Sequence, residues 1–197
     1  MHSLFARASR VDVVGRRLPK SGREAALRRL VVRFGRATPE HLRPGTLAPT
    51  YTSKPLVTFR GAPLFGELAV LRWLEVDGWD GVWVDTFHGR KFWRDMPHRS
   101  APVALPTPAR ALYDRIVAEN GGRASGFFDV MAWRGTQTAF VEYKGPGDRV
   151  GRNQDAWVEA ALAAGVPAAD LVIVAADDGG GGGDEDDAMP NEWTVTT

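Results

Sequence analysis

Two short stretches in the middle of the chain restrict its fold more than any other feature. Gly126-Phe-Phe-Asp-Val-Met-Ala-Trp133 and Thr138-Ala-Phe-Val-Glu-Tyr-Lys144 are rich in aromatic and β-branched residues and read as strands, with only Arg134-Gly-Thr-Gln137 between them. So short a connection points to an antiparallel hairpin. With Gly135 and Thr136 as a two-residue loop, Arg134 faces Gln137, and the same register carried back along the ladder sets Asp129 opposite Glu142. Directly opposed residues share a face with Cβ atoms roughly 4.5–5.5 Å apart, so the two carboxylates converge. Lys144, two residues beyond Glu142, belongs to that face too. Like charges so placed destabilise a sheet unless a positive charge stands between them. A divalent cation answers that need, and oxygen ligands suit Mg2+ or Mn2+. A longer, bulged loop would shift the register and remove the shared face.

The flanking sequence supplies further elements. After Pro146-Gly147 a helix is predicted over Arg152–Ala164, closing at Gly165, and Leu171–Ala175 reads as a buried strand that joins in parallel because the order is β-α-β. Upstream, a helix is predicted from Pro63 to Glu75, ahead of Asp77-Gly78. Glu67 falls in the middle of its apolar stripe of Leu64, Val70, Leu71 and Leu74. An unpaired Glu there is expensive, so it either binds something positive or is satisfied by an Arg or a backbone group. Gly81–Phe87 alternates as a strand that turns at His88-Gly89 into Lys91-Phe-Trp93, and Thr107-Pro108 opens a helix that stops at Gly121-Gly122. Ser21-Gly-Arg-Glu24 resembles a capping box, and Leu27, Leu30, Val31 and Phe34 recur at helical spacing, which predicts an arginine-rich amphipathic helix. That helix could lie on a nucleic-acid backbone or be a solvated face. Residues 35–60 read as a connection, and 177–188 are too poor in apolar residues to pack and are predicted to be disordered.

Composition removes several alternatives. The 197 residues contain no cysteine, so disulfides and thiolate metal sites are excluded. No apolar run reaches the roughly 18 residues that a membrane span needs. The first residues lack the apolar segment and cleavage site of a signal peptide, which points to a cytoplasmic protein. The net charge of +1 says little, but residues 1–40 carry ten Arg or Lys against three acids, and 177–197 carry seven acids and no base. Of the 25 basic residues only Lys20, Lys54, Lys91 and Lys144 are lysines, an arginine bias that a GC-rich genome explains as well as phosphate binding does.

Taken together, Asp129, Glu142-Tyr-Lys144, the run Gly145-Pro-Gly-Asp148, then Gln154 and Trp157 resemble the VRR-NUC branch of the PD-(D/E)XK nuclease superfamily, over roughly residues 62–175. The resemblance implies a restriction-endonuclease-like α/β fold, a mixed sheet flanked by helices. By matching position it makes Asp129 and Glu142 metal ligands, with the backbone carbonyl of Tyr143, and Lys144 the residue that positions or activates water. It maps Glu67 onto a further metal ligand and Gln154 onto a further catalytic residue. It implies a Mg2+- or Mn2+-dependent DNA nuclease, acting on branched or flapped substrates in repair, recombination or phage and mobile-element biology, with room for a homodimer. The chain then divides into a basic extension (1–60), a nuclease domain (61–176) and an acidic tail (177–197). The rival readings are an inactive nucleic-acid-binding module and an interaction protein whose acidic tail mimics DNA. For the single residues, the plain alternatives are a solvated strand lysine at Lys144 and an edge residue at Asp129.

Other candidates are weaker. Asp85, His88 and His98 form a loose metal set with nothing to fix them on one face. Trp73, Trp133 and Trp157 fall in regular elements and read as core, Trp157 bracing the helix that carries Gln154. The five glycines at 179–183 lack the Lys-Ser/Thr ending of a phosphate loop.

Overall fold

The structure, a computed structural model, describes residues 1–37, 51 and 54–177. The central hairpin forms as its sequence predicts. Strands β8 (Val130–Arg134) and β9 (Gln137–Lys144) pair antiparallel, Arg134 with Gln137 and Val130 with Val141. Gly135 takes φ +60 at the first loop position, the conformation a two-residue hairpin loop demands there. Around this hairpin a sheet of seven strands is ordered β1-β2-β10-β9-β8-β6-β7. Its other members are β1 (Ala8–Arg17), β2 (Glu24–Val32), β6 (Asp80–Asp85), β7 (Lys91–Trp93) and β10 (Leu171–Ala176). β10 lies parallel to both β9 and β2, as expected of a strand that follows a crossover helix, and the remaining pairs are antiparallel.

Both faces of the sheet are covered. Leu30, Val32, Ala132, Val141, Val172 and Val174 point to one side, where α2 (Gly66–Val76) and the short α1 (His2–Arg7) pack on them. Leu27, Val82, Met131, Phe140 and Ile173 point to the other, beneath α3 (Thr107–Glu119) and α4 (Arg152–Ala163). This is the mixed sheet flanked by helices that the resemblance leads one to expect. A second sheet of three short strands, β3 (Gly35–Arg36), β4 (Leu56–Phe59) and β5 (Ala62–Phe65), leads into α2.

Two predicted elements are corrected. The arginine-rich segment is strand β2, not a helix, and the turn before it closes a hairpin through the bond from Leu18 N–H to the Arg23 carbonyl (2.8 Å). Its apolar residues mimic helical spacing because β2 is an inner strand buried on both sides: Leu27 serves one core and Leu30 the other. Periodicity alone does not separate such a strand from a helix. The second correction concerns Pro63, which pairs with Thr58 in β5, so that α2 begins at Gly66. β5 is the edge of its sheet, where a residue without an N–H is tolerated. Strand β2 of residues 1–37 hydrogen-bonds to β10 within one sheet. The stretch 35–60, read as a connection, instead contributes β3 and β4 where it is described; its residues 38–50, 52 and 53, like the acidic tail beyond Asp177, lie outside the described residues.

Candidate active site

At the C-terminal end of β9, beyond its ladder with β8 but still paired with β10, two side chains on one face turn toward each other. Lys144 Nζ stands 2.8 Å from Glu142 Oε1, both side chains well buried. Gln154 Nε2, from the first turn of α4, donates to the same oxygen. The amide of Gln154 is held from its other end as well, since Oε1 accepts the Gly151 N–H at 2.8 Å and so caps the helix. The network therefore sets which way the amide points.

Asp129 lies one residue before β8. Its carbonyl accepts the Val84 N–H at 2.7 Å, its Oδ2 accepts the Tyr143 N–H at 2.9 Å, and its own N–H donates to Glu142 Oε2 at 3.3 Å. Asp129 and Glu142 thus face each other as the hairpin register requires, each carboxylate gripping the other strand's backbone. Close approach of α4 is permitted by Gly126, where φ is +80 and an added Cβ would stand 2.1 Å from the carbonyl oxygen of Asn153. Trp157, fully buried, stacks on Phe128 with ring centroids 4.4 Å apart and meets Phe140 edge-on, which braces α4 beside the hairpin.

Glu67 enters from the opposite side of the sheet, at the second residue of α2. It is buried, and its Oε1 pairs with Lys54 Nζ at 2.6 Å, while Oε2 is buried with no hydrogen-bond partner. The three carboxylates act on one another. Burial first, then the charges of Glu142 and Glu67, push the carboxyl of Asp129 well above the usual range. Burial likewise raises Glu142, to about 7, against the opposing pull of Lys144. Burial disfavours the Lys54 ammonium, but Glu67, Asp129 and Asp85 outweigh it and hold its pKa above that of a free lysine.

Lys54, Tyr51 and Asp85 were not singled out as neighbours of this site by the sequence. Lys54 and Tyr51 come from an irregular Pro- and Thr-rich stretch with no periodicity, and the one available signal was the rarity of lysine in an arginine-rich chain. Of the loose set Asp85, His88 and His98, the first two meet, Nδ1 of His88 lying 3.1 Å from the Asp85 carboxylate; His98 instead accepts from the Arg99 guanidinium.

Two cavities of about 360 Å³ flank the carboxylates. Lys144, Arg16, Arg29, Arg149 and Asp148 line the first, while Asp129, Lys54, Asp85, Phe87 and His88 line the second. Arg29, Ile173 and Glu142 form a row across β2, β10 and β9, and the first two of them line the first cavity. Arg16 is held by a two-pronged ion pair to Asp155 of α4 at 2.7 and 2.8 Å. Among the described residues no three His, Asp or Glu side chains stand ready-clustered around a common metal position. The donors nevertheless suit a hard divalent cation: all are oxygens, one of them, Glu67 Oε2, is buried without a partner, and the carboxylates repel one another until a positive charge joins them.

Comparison with curated proteins and with solved structures returned no match. A family model does match: residues 80–172 fit the VRR-NUC domain, a stretch that begins with β6 and runs into β10, taking in Asp129, Glu142, Lys144 and Gln154. Over this stretch the chain is similar to the VRR-NUC family, which lies within the PD-(D/E)XK nuclease superfamily.

Proposed function

We propose that the protein is a metal-dependent nuclease that hydrolyses DNA phosphodiester bonds, with Glu67, Asp129, Glu142 and the Tyr143 carbonyl holding Mg2+ or Mn2+ and with Lys144 and Gln154 completing the catalytic set. The observation that carries this reading is the meeting of Lys144 and Gln154 on one oxygen of buried Glu142, beside Asp129 and at the end of an arginine-lined cavity. Superfamily members generally use divalent ions. Such an ion supplies Lewis-acid polarisation of a phosphoryl oxygen and makes water a stronger acid. The protein groups do the rest. Lys144 spends one ammonium proton on Glu142 and keeps two, which serve to orient an attacking water or to stabilise the developing oxyanion. Gln154 keeps Glu142 aimed, because its amide is fixed by the helix cap at one end and bonds the carboxylate at the other. Arg149, and Arg29 with only a looser 3.6 Å ion pair to Asp12, are the phosphate contacts of the flanking cavity, the forked guanidinium suiting phosphate oxygens. Arg16, already engaged with Asp155, fixes β1 to α4 instead.

The test is cleavage of labelled linear, flapped and four-way DNA with Mg2+ or Mn2+, beside Lys144→Ala and Glu142→Gln. We expect cleavage by the parent chain that chelation abolishes, and a loss of at least about 100-fold in rate in either variant, the scale seen when a single group that stabilises transition-state charge is removed. Equal cleavage by all three proteins, or none by any, overturns the assignment.

A further inference from the structure

The β6–β7 turn lies outside both the metal site and the phosphate groove, yet it forms a wall of the cavity that Asp129 and Lys54 share. At its tip Phe87 is 90 % exposed, the only aromatic among the large exposed apolar residues that are described. A lone exposed phenyl ring is unremarkable in itself. Two observations set this one apart. The first is that the ring rides on a rigid support. Asp85, 4 % exposed, accepts the backbone N–H groups of Phe87 (3.2 Å) and His88 (3.0 Å), and also accepts the Tyr51 hydroxyl at 2.5 Å. His88 is clamped by the same carboxylate and lies against Tyr51 at a centroid distance of 4.5 Å, and Phe87 meets the His88 ring edge-on at 5.1 Å. A flexible loop would let a phenyl ring fold back onto the protein; this turn is pinned so that the ring stays in solvent.

The second observation is position. Any strand whose phosphate reaches Asp129 and Lys54 brings the adjoining sugar and base into the cavity that Phe87 borders. Every nucleobase offers a π-face, so stacking needs no particular sequence. A base inside a duplex has both faces occupied by its neighbours, whereas an unpaired base has a face to give. Resting on the nuclease reading above, we propose that Phe87 is a stacking platform for an unpaired nucleobase beside the scissile phosphate, so that the enzyme selects DNA with a single-stranded flank over fully paired duplex. The Tyr51–Asp85–His88 set, its Tyr51 and Asp85 buried, positions the platform and takes no part in the chemistry.

The experiment measures binding without turnover, using the Lys144→Ala chain and two fluorescent DNAs of equal length, one fully paired and one with an unpaired flank that carries 2-aminopurine. Because Phe87 touches little of the protein, replacing it should leave the fold intact, and circular dichroism checks this. Adding Phe87→Ala should weaken binding of the flanked DNA about tenfold, the scale of one lost base–aromatic stack, and leave the duplex unchanged. Phe87→Trp should restore it, and the 2-aminopurine quenching seen on binding should vanish with alanine and return with tryptophan. Equal affinity of Phe87→Ala and its parent for the flanked DNA, or an equal loss on both DNAs, overturns the proposal. Cleavage by the otherwise unaltered chain is scored separately: normal cleavage without the tenfold gap sinks the stacking platform alone, whereas the gap without any cleavage sinks the nuclease reading alone.

Discussion

Lys54 shows how much of a site can escape the eye when a single residue is read from sequence. It belongs to no periodic element, and nothing near it in the chain is acidic. Yet its ammonium is the partner of buried Glu67 at 2.6 Å. Glu67 itself was legible, because an acid in the middle of an apolar helical stripe must be explained, but its partner is a lysine and not the arginine or backbone group of the plain expectation. Replacing Lys54 with Met leaves a buried carboxylate with neither oxygen paired. The expected loss is about 1–3 kcal/mol, the penalty for stranding a buried polar group. Urea unfolding measures it, and adding Glu67→Gln to Lys54→Met should recover part of the loss, because the amide no longer buries a charge. A Lys54→Met protein as stable as the parent would show that the pair contributes nothing to folding.

At the scale of elements, the sequence was informative where turn chemistry and burial agreed. The β8–β9 hairpin was readable to the residue because a two-residue loop with Gly135 at its first position leaves one register. Strand β2 was misread because an inner strand with two buried faces produces the apolar spacing of a helix. The α4 contact was readable through Trp157, too large and apolar for the surface of a helix beginning with Arg152-Asn-Gln-Asp155. Trp157→Ala should cost about 3–5 kcal/mol by opening a cavity among Phe127, Phe128 and Phe140. Thermal unfolding checks that figure, and a change below about 1 kcal/mol would place the indole outside the packed core. The β6–β7 turn carries a pH dependence of its own. Burial works against the Asp85 charge, but the Tyr51 hydroxyl and the His88 backbone and ring outweigh it and hold the carboxyl below its ordinary value of 3.8. A carboxylate depressed in the folded state stabilises fully above the unfolded value, and that stability is lost as pH falls through the lower folded value. Asp85→Asn should therefore destabilise the protein near neutral pH and much less at the acid end. Parallel stability–pH curves for parent and variant below pH 4 would contradict that assignment.

For the whole molecule, the unexpected feature is that the arginine-rich start of the chain completes the nuclease sheet. The family match spans 80–172, and β1 and β2 lie outside it. Even so, β2 pairs with the free side of β10, and Leu27 and Leu30 fill the two cores on either side of that junction. Without them β10 would become an edge strand whose residues Leu171 to Ala175 are all buried in the intact protein. Unpaired N–H and C=O groups along an apolar strand are a template for pairing with another copy. The first cavity would lose Arg16 and Arg29 in the same stroke, so the hairpin serves both the stability of the sheet and the lining of that cavity. A chain confined to residues 61–177 should accordingly aggregate or bind a dye that reports exposed apolar surface. Adding residues 1–60 as a separate polypeptide should restore solubility only where β2 can dock on β10. Size-exclusion chromatography with circular dichroism decides the matter. A monomeric, cooperatively folding 61–177 fragment would mean that the hairpin is an appendage to a self-sufficient domain, and the arginine groove would then have to be tested as an addition to a working site.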